Sequence, residues 1–198
     1  MIACFNEKEE RIYEERGTRS IENDTRINGL YFRDDQKRED ISLELERFTS
    51  LHPHQDQVAS ILKECADEYF GWFAARQSEW DPQELHTATE RWRPERQSMV
   101  YKMQKTSPYG GFCMWHQEQG SQDSTRGRYA VWMLYLNDVH RDGGTDFPVQ
   151  GIRMQPTEGT MVIWPAAYTH PHRSSPDLEE TKYILTGWFE HRGSYVDE

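Results

Sequence analysis

The sequence runs to 198 residues, with 35% AVILMFWYC, 13% aromatic, 29% charged and a formal charge of −11. That length fits one domain with a real core, and seven Trp concentrate the apolar area in a few large side chains that favour a compact fold over disorder. The acidic balance argues against broad binding to a nucleic-acid backbone, and no apolar run approaches the ~20 residues of a membrane span. Cys4, Cys65 and Cys113 are too few and too scattered for a disulfide framework or a CxxC zinc site, so a reduced, cytoplasmic chain is expected.

Residues 1–50 are strongly charged and carry few large apolar positions; they read as an N-terminal strap with a hairpin near Asn28-Gly29. Over 55–79, Val58, Ile61, Leu62, Cys65, Tyr69, Phe70 and Phe73 recur at three- and four-residue spacing, which predicts a helix with one packing face. Asp81-Pro82 ends it, and a short helix over about Pro82–Glu90 completes a helical support spanning 51–97.

From Ser98 the texture changes. Short β-prone runs cover Ser98–Lys105, Phe112–Glu118, Arg128–Asn137, Thr145–Gln150, Thr160–Trp164 and Lys182–Glu190, separated by turn chemistry such as Asp142-Gly143-Gly144 and Glu158-Gly159. This pattern predicts an antiparallel sandwich or barrel. In Arg128–Asn137 both alternating sets are apolar, so the strand is expected to be buried on both faces, with helices covering one sheet. The expected fold is mainly β with flanking helices (α+β): a single domain, 1–198, with its catalytic core over 98–190.

His116 and Glu118 are two residues apart in a predicted strand, where i and i+2 share a face and can chelate one ion. Thr169-His170-Pro171-His172 offers the second imidazole. Two His and one carboxylate leave three faces of an octahedral ion open, the arrangement used for iron(II) oxygen chemistry. Lys182 opens the last strand, and Lys182, Ile184, Thr186 and Trp188 share one of its faces. A lysine aimed into an apolar barrel calls for an anion, since an unpaired buried charge is costly. The plainer alternative is a solvated lysine at a strand start. Trp115 and Trp164 read as core, His52, His54, His86, His140 and His191 as surface histidines, and Arg173 as either a substrate contact or a surface cation.

The stretch from about Ser98 to Phe189 resembles the prolyl-4-hydroxylase-like branch of the 2-oxoglutarate/iron(II) oxygenases. The matching pieces are Gly110-Gly111-Phe112 leading to Trp115-His116-x-Glu118; Tyr135-Leu136-Asn137-Asp138-Val139 followed by Gly143-Gly144-Thr145-Asp146-Phe147; and His172-Arg173-x-x-Pro176 leading to Lys182-Tyr183 and Gly187-Trp188. The resemblance implies a double-stranded β-helix (jelly-roll, cupin-like) and Fe(II) held by His116, Glu118 and His172. It implies 2-oxoglutarate held by Lys182 through its C5 carboxylate, and Tyr135 lining that pocket. Thr186 and Trp188, on the Lys182 face, join these as cosubstrate-binding candidates.

With O2 as cosubstrate, the implied reaction is hydroxylation of a C–H bond coupled to decarboxylation of 2-oxoglutarate to succinate. The implied partner is a small-molecule or peptide substrate, prolyl by resemblance, with no nucleic acid or membrane. Two departures stand out. Glu118 occupies a position where the family has Asp, and Thr106 one where it often has Tyr, with Tyr101, Gln104 or Tyr109 open as substitutes. Three rivals share the pattern: a catalytically inactive cupin-like module, a nucleic-acid demethylase of the same superfamily, and a zinc hydrolase.

Overall fold

The computed structural model describes residues 1–17, 19, 25–27, 30–34, 38–44, 52–80, 102–176 and 178–191. Its helices are α1 (Ile2–Arg16), α2 (His52–Trp80) and the single turn α3 (Asp123–Arg126). Its strands are β1 (Thr25–Ile27), β2 (Leu30–Asp34), β3 (Arg38–Glu44), β4 (Lys102–Thr106), β5 (Gly111–Phe112), β6 (Arg128–Tyr135), β7 (Thr145–Phe147), β8 (Ile152–Met154), β9 (Met161–Pro165), β10 (Arg173–Ser174) and β11 (Lys182–Glu190). The eight-stranded sheet runs β1-β2-β3-β4-β11-β6-β9, with β5 paired to β3, and a three-stranded sheet runs β10-β7-β8. All pairs are antiparallel.

The expected two-sided burial of β6 is present, and it divides the core. Ala130, Trp132 and Leu134 face outward from the large sheet and pack with Leu185, Phe189, Met103 and Leu43 under Phe5 and Ile12 of α1 and Val58, Leu62 and Ala66 of α2. Val131, Met133 and Tyr135 face the other way, packing with Ile184, Trp164 and Phe147 between the sheets. A strand covered on both sides reads as a continuous apolar run because neither face meets water. The architecture is the expected mainly-β jelly roll with flanking helices.

The N-terminal region departs from the strap reading. Its first fifteen helical residues form α1, and the strands after it extend the large sheet. The hairpin lies where expected, with Ile27 opposite Leu30. The helix escapes a hydrophobic-period reading because its inward face is Phe5, Glu9 and Ile12. Glu9 is buried against Lys105 of β4 at 2.6 Å and accepts from the Tyr13 hydroxyl at 2.8 Å, so a charged residue occupies a core position with its partner on the sheet.

Strand boundaries also differ. The Phe112–Glu118 strand is reduced to β5 plus an isolated bridge between His116 and His172, because the Glu118 and Gln119 N–H groups donate to the Ala166 carbonyl instead of to a ladder. Thr145–Gln150 ends at Phe147, before Pro148, which has no N–H to give. The chain then turns through Gly151 at φ +67° and returns as β8. Residues 82–90, expected as a short helix, and the first part of the Ser98–Lys105 strand lie outside the described residues.

Candidate active site

The bridge between His116 and His172 carries the site. Each backbone N–H donates to the other's carbonyl, at 3.0 and 2.9 Å, which brings the imidazole that follows β5 of the large sheet and the one that precedes β10 of the small sheet to a ring separation of 4.3 Å. His116 Nδ1 lies 2.9 Å from the Met114 carbonyl, and His172 Nδ1 lies 3.0 Å from the His170 carbonyl. A carbonyl only accepts, so both Nδ1 atoms carry the proton and both Nε2 lone pairs turn inward. Glu118 Oε1 stands 3.4 Å from His116 Nε2 and 3.9 Å from His172 Nε2. One ligand atom from each of the three side chains falls within 4.8 Å of the others. The sequence-expected trio is therefore brought together.

Surrounding groups fix the trio. Phe112 packs on His116, while Trp164 and Phe147 pack around His172. Burial and the neighbouring His116 push His172 down to about 4, so its ring is neutral at pH 7. Burial alone would raise the Glu118 carboxyl, but the adjoining His116, then His172 and the Arg128 guanidinium, hold it down at about 2. Two imidazoles presenting Nε2 and a carboxylate form a donor set suited to a divalent first-row metal, and iron(II) fits it. The bonds on both Nδ1 atoms supply the outer support that ligating histidines need.

Lys182 lies in the same cavity, which has a volume of about 280 Å³. It is 4% exposed, and Nζ donates to the Gly143 carbonyl at 2.7 Å and to Ser174 Oγ at 2.9 Å. Both acceptors are neutral. An ammonium has three donors, so one remains for a ligand. Burial pushes this lysine down to about 8, against the pull of Cys113 and Asp146. A buried cation bonded only to neutral groups favours an anion, and the cavity links it to the three-residue cluster.

The other candidates separate. Thr186 lines the cavity and donates to the Trp132 carbonyl at 2.9 Å. Trp188 also lines it, and its indole N–H donates to Glu118 Oε2 at 3.0 Å. Tyr135 does not line the cavity; it is 1% exposed, and its hydroxyl lies 2.9 Å from Thr145 Oγ1, which does. His170 stays outside the cavity, with Nδ1 3.0 Å from the Thr169 hydroxyl. Trp164 is buried as expected. Trp115 is 47% exposed, with Arg173 stacked over its ring at 4.2 Å, which corrects its reading as core. Of the three substitutes for the family tyrosine, Tyr109 is 74% exposed, Tyr101 lies outside the described residues and Gln104 lines the cavity.

Sequence reading missed Arg128. Its Nη1 donates to Glu118 Oε2 at 3.1 Å, its Nε reaches Glu190 at 3.4 Å, and its guanidinium lies over the Trp188 ring at 3.7 Å.

Two histidines and a carboxylate clustered in the same cavity of a jelly roll as a buried cation form a donor set of the facial-triad type. Residues 97–190 match the model of the 2OG-Fe(II) oxygenase superfamily. Prolyl 4-hydroxylase subunit alpha-1 of Gallus gallus is 34% identical over 76 residues, covering 35% of this chain and 15% of the relative. The Homo sapiens protein is 33% identical over 76 residues, covering 35% and 14%. The chain thus aligns with about one-seventh of the length of these relatives. Among solved structures, a prolyl hydroxylase from Trichoplax adhaerens, in complex with a hypoxia inducible factor peptide fragment, superposes with a TM-score of 0.60 at 12% identity, covering 95% of this chain and 77% of that one. A Pseudomonas putida prolyl-4-hydroxylase gives 0.54 at 18%, covering 83% and 78%. These two show the fold. Over residues 97–190, just under half of its length, the chain is thus similar to the 2OG-Fe(II) oxygenase superfamily, and over 76 residues to prolyl 4-hydroxylases.

Proposed function

We propose that this protein is an Fe(II)- and 2-oxoglutarate-dependent dioxygenase that hydroxylates a C–H bond, with a prolyl or other peptide residue as the favoured substrate. The observation that carries the reading is the shared cavity, with His116, Glu118 and His172 gathered in one cluster and the buried Lys182 bonded only to neutral acceptors. His116, Glu118 and His172 would hold Fe(II). Lys182, with Ser174 beside it, would receive the C5 carboxylate of 2-oxoglutarate. Iron, 2-oxoglutarate and O2 together supply the oxidising power for hydroxylation, with succinate and carbon dioxide as coproducts. The chain's own part is orientation and dryness: Val131, Met133, Ile184 and Trp164 wall the cavity, and Thr186 turns its hydroxyl to backbone.

The peptide reading draws support from the prolyl 4-hydroxylase relatives and from the peptide-bound neighbour. Three cysteines outside any disulfide agree with a cytoplasmic setting, and no described helix is long and apolar enough to cross a membrane. The test is 2-oxoglutarate titration by tryptophan quenching without oxygen. Binding should require Fe(II) and should weaken about 10- to 100-fold in Lys182→Ala, the loss expected for one charge-assisted hydrogen bond. Equal affinity in Lys182→Ala would place the cosubstrate elsewhere and favour an inactive binding module.

A further inference from the structure

The end of the β6–β11 ladder is irregular, and the irregularity serves the carboxylate of the triad. The two strands pair in register from Ile184 opposite Tyr135 to Phe189 opposite Ala130, and then Glu190 stands opposite Arg128, so a bulge separates Phe189 from Glu190. Alternation along β6 sends Val131, Met133 and Tyr135 to the inner core and Ala130, Trp132 and Leu134 to the outer one. By that count Arg128 belongs with Ala130, under the helices. The bulge reverses it: Tyr129 packs with the outer core and Arg128 lines the cavity. Re-aiming a side chain beside a site is what a bulge does well.

Once there, the guanidinium is held on three sides. It lies on the Trp188 ring at 3.7 Å, reaches Glu190 Oε1 at 3.4 Å, and donates to Glu118 Oε2 at 3.1 Å. The Trp188 indole N–H donates to the same Oε2 at 3.0 Å. We infer that Arg128 and Trp188 are positioning residues that clamp the outer oxygen of Glu118, leaving Oε1 alone to face His116 and His172. A glutamate needs such a clamp because its terminal torsion is broad and would otherwise offer either oxygen, or both. Electrostatics alone would keep an arginine away, since a cation beside a dication site repels the metal. The two effects have opposite signs in a variant, and that makes the inference testable.

The inference rests on His116, Glu118 and His172 being metal ligands. The experiment is Co(II) titration of the metal-free chain by chelator competition, with circular dichroism as the folding control. Arg128→Met and Arg128→Lys should each weaken Co(II) binding about 10- to 100-fold, as losses of outer-shell support do, and Trp188→Phe about 10-fold. A purely electrostatic arginine would give tighter binding in Arg128→Met and unchanged binding in Arg128→Lys; either result overturns the clamp.

In Glu118→Asp the shorter side chain loses its reach to both donors, so adding Arg128→Lys should cost little more, whereas full additivity contradicts the clamp. Should Arg128→Met fail to fold, Arg128→Lys and Trp188→Phe carry the same test. If the parent chain does not bind one Co(II), the ligand reading falls and this inference falls with it. If the parent binds and every variant matches it, only the clamp falls.

Discussion

Replacing Lys182 by methionine should make the ligand-free protein more stable at neutral pH while weakening its grip on 2-oxoglutarate about 10- to 100-fold. Burial lowers this ammonium from its ordinary 10.5 to about 8. At about 1.4 kcal/mol per pH unit, holding the charge inside the fold costs on the order of 3 kcal/mol at pH 7. Because the folded-state value is the lower one, the cost is complete below about 8 and fades as pH rises towards 10.5. Methionine removes the charge but gives up the bonds to the Gly143 carbonyl and Ser174 Oγ, which returns about 1–2 kcal/mol. A net gain of about 1–2 kcal/mol is expected at pH 7.

Urea denaturation of parent and Lys182→Met, side by side at pH 7 and pH 10 without metal or 2-oxoglutarate, measures it. The parent should gain on the variant as pH rises. With metal and 2-oxoglutarate present the order should reverse, since a ligand that binds only the folded state stabilises it by mass action. A ligand-free parent that is the more stable at pH 7, or a difference flat with pH, would refute the reasoning.

His172→Ala should weaken metal binding by more than ~100-fold, as loss of a ligand exceeds loss of outer-shell support. His170→Ala, outside the cavity, should stay near the parent, and isothermal titration with Co(II) or Fe(II) separates the two. Glu118→Asp should keep weakened metal binding and some activity, while Glu118→Ala should lose most of both; unchanged iron affinity in Glu118→Ala would remove the carboxylate from the ligand set. Gly143 sits at φ +72°, and an added Cβ would lie 2.5 Å from Leu178 Cδ1 and 3.1 Å from Val139 Cγ1. Gly143→Ala should therefore cost about 1–3 kcal/mol in thermal unfolding and, by moving the carbonyl that binds Lys182, weaken 2-oxoglutarate binding as well.

What the sequence made legible follows from where local pattern and burial agree. Strand β6 reads directly because both of its alternating sets are apolar, the Lys182–Glu190 strand because Tyr183, Leu185 and Phe189 alternate with a mixed set led by Lys182, and α2 because its stripe recurs at helical spacing. His116, Glu118 and His172 were legible through spacing and resemblance, even though the chain between Phe112 and Glu118 is mostly not strand. Helix α1 was not, because Glu9 replaces an apolar residue on its inner face and finds Lys105 on a distant strand. Strand β3 hides for the same reason, with Asp40 and Ser42 buried beside Leu43. Strands β8 and β10 are too short for any period to register. Arg128 was invisible because a bulge sets its direction, and period-two counting assumes that none exists. Tyr135 was found, but the fold places it behind Thr145 rather than on the cavity wall.

The most direct test of the central claim is succinate formation by purified chain reconstituted with Fe(II) without oxygen, then supplied with 2-oxoglutarate and O2. The account predicts slow succinate release even without prime substrate, dependent on both Fe(II) and O2, lost in His172→Ala and retained in His170→Ala. Full release in His172→Ala, or none from a parent chain shown to bind both Fe(II) and 2-oxoglutarate, would contradict it.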